Sequence, residues 1–543
     1  MRKSQPLLIL FFLLGATAFQ TSCKKLNQAP SDKYTDLTYW NSPAAADALL
    51  NTAYKQMYRD DYFFYNEGLS DNAYVGRGDQ NNVFTISSGS FNPSLGRFDD
   101  EWQSHYQGIK SCNVLLDNID QIPNYPAAQK TQEIAQTRFI RAFQYWQLMT
   151  WFSDVPLFDH DITLSQSQTI TRTPRAQVLA FVLSELDAVK AILPSSYDAA
   201  DQGRITSGAA AALKARVYLY ESNWSAVAAI CDTLIHTSTY GTYSLAPSYA
   251  SIFSPTNEHN SEVILDEEYV PLLRTYNWMI DFIPISAGAR DNALAPTQEL
   301  VNDYLMTNGD SINQAGSGFD ETNPYTGRDP RMTATLVYNQ YVWTNPDGST
   351  QTIYIKPGSD PSSAKLNEYV PNGGFSSSTG YYIRKYWDPT AAAGEVSGLD
   401  LILIRYADVL LMYAEAMNEL GQFSADTWNQ TIGALRTRAG FTAPAATQFN
   451  TAWSQSDLRT IIRRERRCEL AFEGLRIFDI RRWQTAATVL NGWVHGAQYG
   501  DPSVDSGYVR VASRIFDPTR DYLWPVPTYE LAQDPHLTQN PNY

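Results

Sequence analysis

The stretch that most constrains the fold is residues 461–483, IIRRERRCELAFEGLRIFDIRRW. Glu465, Glu469 and Glu473 recur every fourth residue, so on a helix they form one stripe. Arg463, Arg464, Arg466 and Arg467 flank the first two at three- and four-residue pairing distance. Leu470, Phe472, Leu475, Phe478, Ile480 and Trp483 supply apolar surface on either side of Gly474. The pattern predicts two helices, or one bent helix, meeting where the missing side chain lets backbones approach. A basic run can contact nucleic acid, but acids interleave this one on a chain of formal charge −16. The expected role is a structural helix crossing held by packing and ion pairs.

Helical spacing recurs along the chain. Asn41-Ser42-Pro43 opens a helix, with a capping residue ahead of a proline in the first turn. Further helical patterns cover 101–119, 136–152, 174–193, 207–221 and 224–236, and a later pair covers 401–420 and 427–438. Four helix pairs of this size predict a mainly α chain, an α-solenoid of stacked TPR-like hairpins. Residues 60–95 read as loop. Between about 240 and 400, Gly, Pro, Asn and Ser break the pattern, and short β-branched and aromatic runs such as TATLVY appear. A long irregular insertion in a helical scaffold is expected to carry function.

The chain starts MRKSQPLLILFFLLGATAFQTSC. A basic start, an apolar run from Leu7 to Leu14 and small residues from Gly15 to Ala18 read as an export signal over 1–22, too short for a stable membrane span. Cys23 follows Thr21-Ser22 as at the end of a lipobox, with Gln20 where leucine is usual. It is expected to carry lipid, with residues 23–40 as a tether. Without Arg2 and Lys3 the charge becomes 39 − 57 = −18, which gives no electrostatic reason to bind a phosphate backbone. Cys112, Cys231 and Cys468 are scattered, without disulfide-framework or metal-type spacing.

No HExxH, GxSxG, phosphate-cradling glycine loop or EF-hand loop occurs, and the six histidines form no close pair at ligand spacing. Neither a catalytic centre, a metal site nor a cofactor is expected. Asp99-Asp100-Glu101 and Asp266-Glu267-Glu268 are carboxylate runs. A glycosidase needs two carboxylates about 5–10 Å apart across a sugar, whereas adjacent acids on an acidic chain are expected to be solvated surface.

Seven segments, in order, resemble the SusD/RagB family of outer-membrane lipoproteins: QTRFIRAFQYWQLMTWFSDVPL, RITSGAAAALKARVYLY, PTQELVNDYLMTNGD, NPYTGRDPR, ILIRYADVLLMYAEAMNE, the 461–483 stretch and YLWPVPTYELAQDPHLTQNPNY. The resemblance covers nearly all of residues 41–543. It implies a helical scaffold with four TPR-like pairs and a loop-rich face, no catalysis, an exterior-facing lipid anchor in the outer membrane, and nutrient capture beside a TonB-dependent, SusC-like transporter. Glycan capture needs flat rings for sugar faces and a few polar groups for hydroxyls. Two loop regions offer that mixture: Asp71, Tyr74, Arg77 and Asn81 in the first, Arg274, Tyr276 and Trp278 in the second, with Trp343 expected on the same face. The alternatives are capture of a peptide or glycopeptide by the same architecture, a secreted glycoside hydrolase, or an assembly protein that only binds the transporter.

Overall fold

Apolar residues at three- and four-residue spacing become helices in the computed structural model, which describes residues 39–543 except 363–366, 372–373 and 392–395. The expected signal segment and Cys23 lie outside the described residues. The longer helices are α1 Pro43–Lys55, α2 Gly96–Asn118, α3 Ala127–Phe152, α4 Arg175–Lys190, α5 Ser207–Tyr220, α6 Trp224–His236, α7 Tyr406–Glu419 and α8 Gln455–Glu469. Each packs on the next, α1 on α2 through to α7 on α8, which gives a mainly helical scaffold of four successive pairs. Local chemistry fixes the starts. Thr206 accepts a hydrogen bond from the Ala209 amide ahead of α5, and Ser454 with Asp457 forms a capping box ahead of α8. The alanines of α5, Ala209 to Ala212 and Ala215, are fully buried, so neighbouring helices approach closely. Among the described residues no helix is long and apolar enough to cross a membrane.

Three expectations need correction. The segment 427–438 is not the main partner of α7. It is split between Ala425–Gln430 and Ile432–Ala439 by a break at Thr431 (φ −117°, ψ −95°), and α7 packs chiefly on α6 and α8. The helix expected from Leu401 starts only at Tyr406. Leu401–Arg405 is a strand, antiparallel to Val263–Glu267, buried at all five residues, and a short apolar run of that kind has no periodicity to separate strand from helix. Within the 60–95 loop, Asp60–Tyr65 is a short helix whose aromatic residues are buried. Residues 240–400 form small ladders such as Tyr341–Thr344 against Thr350–Ile353, short helices and irregular chain.

The 461–483 stretch forms two helices, α8 and α9 (Arg476–Arg482), with a turn between them. Its glutamates do not pair along their own helix. Arg405, at the end of the buried strand, donates to Glu262 Oε1 (2.6 Å), Glu469 Oε1 (2.7 Å), the Glu469 carbonyl (2.7 Å) and both oxygens of Glu473. Arg331 holds Asp329, Glu465 and Glu469. Arg436 takes the other Glu465 oxygen, Arg438 bridges Glu262 and Glu469, and Lys385 reaches Glu473. Five acids (Glu262, Asp329, Glu465, Glu469, Glu473) thus face five bases (Arg331, Lys385, Arg405, Arg436, Arg438), and all ten are buried or nearly so. The arginines of α8 point elsewhere: Arg466 to Asp408 and Asp479, Arg467 to Asp71 and Asp303.

Gly474 sits in that turn at φ +72°, and a Cβ there would lie 2.8 Å from the Phe63 carbonyl oxygen. Gly474→Ala therefore meets both left-handed strain and a backbone clash, and should destabilise by about 1–3 kcal/mol. Gly288, at φ +100° with open space around it, provides the control. Gly288→Ala should shift a denaturant midpoint less, and equal shifts would mean that the Phe63 contact contributes nothing.

Candidate functional site

The 71–84 loop starts with the two-residue strand Ala73–Tyr74, paired antiparallel with Ala295–Pro296. Thr297 follows, donates to the Asp71 carbonyl and caps the helix Gln298–Asp303. One short ladder therefore joins two surface patches.

On the first patch, the half-buried Tyr74 ring stands edge-on to Phe84 (6.4 Å, 83°), and Phe84 is 39% exposed. Arg77 lies over the Phe375 ring at 4.0 Å and donates to Asp291 Oδ2 at 2.8 Å. Phe375 is 62% exposed. The second patch is built on the strand pair Gly492–His495 and Arg510–Arg514. Residues two apart on a strand share a face; Val494 turns into the core while Trp493 and His495 line a hollow of about 410 Å³ with Gln298, Glu299, Asn302, Asp505, Ser506 and Tyr508. Trp493 is 49% exposed, more than any other tryptophan among the described residues. His495 bridges Glu299 (Nδ1–Oε1, 2.7 Å) and Asp505 (Nε2–Oδ2, 3.1 Å). The Glu299 hydrogen bond is the main cause of its raised imidazole pKa. Arg514 donates to the Ala73 carbonyl and lies within electrostatic reach of both Tyr74 and Glu299, so the patches are neighbours.

Tyr74 and Arg77 are the two expected residues that the fold brings onto this face. Asn81 is close in sequence, in the left-handed region at φ +51°, with a buried side-chain amide that makes no hydrogen bond. Asp71 is not available to a ligand. Arg476 binds both its oxygens (2.8 and 2.9 Å), and Arg467 lies 2.9 Å away. Burial disfavours its charge, but the two arginines outweigh that and hold its carboxyl well below the usual range. Tyr276 is buried against Tyr269 and Phe64. Trp343, 0% exposed, packs on Trp387 inside a small core of its own, because its strand turns the ring inward and leaves Val342 outside. Arg274 is taken up by Glu267 and the Glu268 carbonyl. Trp278 is half-buried, edge-on to Tyr65. Phe84, Phe375 and Trp493 were missed. The Asn491-Gly492 pair ahead of Trp493 is a turn signal that marks it as a candidate for exposure.

Fold and surface together define a class: a helical scaffold bearing an irregular face with exposed rings and polar neighbours. Residues 261–543 match the family model of the SusD family, and residues 24–219 match a model described as starch-binding associating with outer membrane. The chain belongs to the SusD family. It is 26% identical over 475 residues to SusD-like protein P25 of Formosa agariphila, covering 81% of this chain and 78% of that protein. A SusD-like carbohydrate binding protein from Bacteroides fragilis superposes with a TM-score of 0.82 at 29% identity, over 92% of this chain and 100% of that one. A laminarin binding SusD-like protein shares the fold at 23% identity, with a TM-score of 0.67 over 93% and 100% of the two chains.

Proposed function

We propose that the chain is a non-catalytic capture protein of the outer membrane, anchored through lipid on Cys23, which binds oligosaccharide and delivers it to a TonB-dependent transporter. The observation that carries the ligand class is the set of exposed and half-exposed rings, Tyr74, Phe84, Phe375 and Trp493, bordered by Arg77, Glu299 and His495. Rings stack on the apolar faces of sugars, while guanidinium, carboxylate and imidazole groups match ring hydroxyls. Family membership supports the anchor and the transporter step, and the carbohydrate-binding relative supports the ligand. Asp505 is unsuited to be a glycosidase acid on this face, since it is held down to about 2, first by Arg510 and then by His495. A glycosidase acid must instead keep its proton near neutrality.

The test is calorimetric titration with oligosaccharides, comparing wild type with Trp493→Ala and Phe84→Ala. Each variant should raise Kd about tenfold, the worth of roughly one stacked ring, with an unchanged melting temperature. Wild-type Kd values in both variants would remove this face from consideration.

A further inference from the structure

Far from those rings in sequence, three segments meet at one end of the ladder between Val263–Glu267 and Leu401–Arg405. His259, in a turn at φ +52°, directs Nδ1 at Asp266 Oδ2 (3.4 Å) and Nε2 at Glu268 Oε1 (3.6 Å) and Asp400 Oδ2 (3.7 Å). One atom each from His259, Glu268 and Asp400 lie within 4.8 Å of one another. Backbone amides already occupy the other side of the cluster: Tyr269 donates to Asp400 Oδ1, and Asp400 donates to Glu258. Asp266 and Asp400 are each only 6% exposed, and the buried Asp266 Oδ2 has the long 3.4 Å contact to His259 Nδ1 but no well-formed hydrogen bond. Four carboxylates (Glu258, Asp266, Glu268, Asp400) thus surround a single imidazole, while Arg274 is turned to Glu267.

One edge of the cluster opens to solvent. A hollow of about 570 Å³, lined by Gln202, Gly203, Asn260 and others, reaches His259 and Asp266. Gly203 makes room for the Glu268 carboxylate, since a Cβ there would fall 1.6 Å from Oε1.

We propose that His259 Nε2, Glu268 and Asp400 bind one divalent cation of the zinc class, with Asp266 accepting the proton on His259 Nδ1. The donor set selects the metal. Calcium takes six to eight oxygens and has no use for an imidazole, whereas mixed nitrogen and oxygen donors suit zinc and its neighbours. A carboxylate behind the ligating histidine fixes its tautomer and orientation. Bond lengths of about 2.0–2.2 Å require ligand atoms roughly 3.3 Å apart in a tetrahedral site, a modest closure that the half-exposed Glu268 can make, with water in the fourth position. The bound ion ties the 254–260 turn to the ladder and relieves the carboxylate crowding.

The test is calorimetric titration of metal-free full chain with ZnCl₂, alongside CaCl₂, with the metal content of dialysed protein measured separately. One equivalent of zinc should bind and raise the melting temperature. His259→Gln and Asp400→Asn should each weaken binding at least tenfold, while keeping the metal-free melting temperature within a few degrees. His160→Ala, at an exposed histidine beside Asp159, should bind zinc like wild type. Absence of zinc binding, equal binding by all three variants, or a preference for calcium would each overturn the proposal.

Discussion

Arg405→Met should cost about 3–5 kcal/mol, a large part of the stability of an ordinary domain. Arg405 is fully buried and donates to three carboxylates and a carbonyl. Methionine fills much of the volume but leaves five buried acids against four bases. Removing one partner of a buried ion network is costly because the remaining charge has no water to turn to. Adding Glu473→Gln restores the charge balance, so the double variant should recover part of the loss. A guanidinium denaturation series on both reads this out. A double variant no more stable than the single one would mean that lost packing, not charge, dominates. Arg510→Ala, which removes an exposed partner of Asp505, should leave the midpoint in place.

Acidification should unfold the chain steeply between roughly pH 4 and pH 2. Burial disfavours the charged forms of Glu465, Glu469, Glu473, Asp408 and Glu415, yet neighbouring arginines, joined at Glu473 by Lys385, outweigh it and hold each carboxyl below its usual pKa. Groups depressed in this way bind fewer protons in the folded state than in the unfolded one. Their contribution is therefore present above the ordinary carboxylate range and is lost as pH falls through the folded values. Glu67 works the other way: burial raises it to about 7, so its contribution is lost as pH rises towards that value. Stability should peak at mildly acidic pH, and melting temperatures read by circular dichroism check the profile. A flat curve down to pH 2 would contradict the buried network as described.

The scaffold was legible because helical periodicity is local. Residues 136–152, 207–220 and 224–236 all form helices, and the Gly474 break falls where the sequence places it. Pairing partners were not legible. Glu465 and Glu469 sit among arginines on their own helix, yet they bind Arg331, Arg405, Arg436 and Arg438 from other segments. The carboxylate run 266–268 looked like solvated surface, but Asp266 and Glu267 are buried by the strand pairing with Leu401–Arg405. The candidate site was half legible for the same reason. Composition points to rings and polar groups in loops, and of the residues it names the fold leaves Tyr74 and Arg77 on the candidate face. Only the pleat of a strand separates an inward ring such as Trp343 from an outward one such as Trp493, and that depends on register.

The most direct measurement exposes purified chain to a panel of polysaccharides and oligosaccharides, following binding and reducing ends in the same samples. Saturable binding to at least one glycan, with no rise in reducing ends, is the predicted result. Release of reducing ends, at a rate abolished by substituting a single carboxylate, would contradict the capture role.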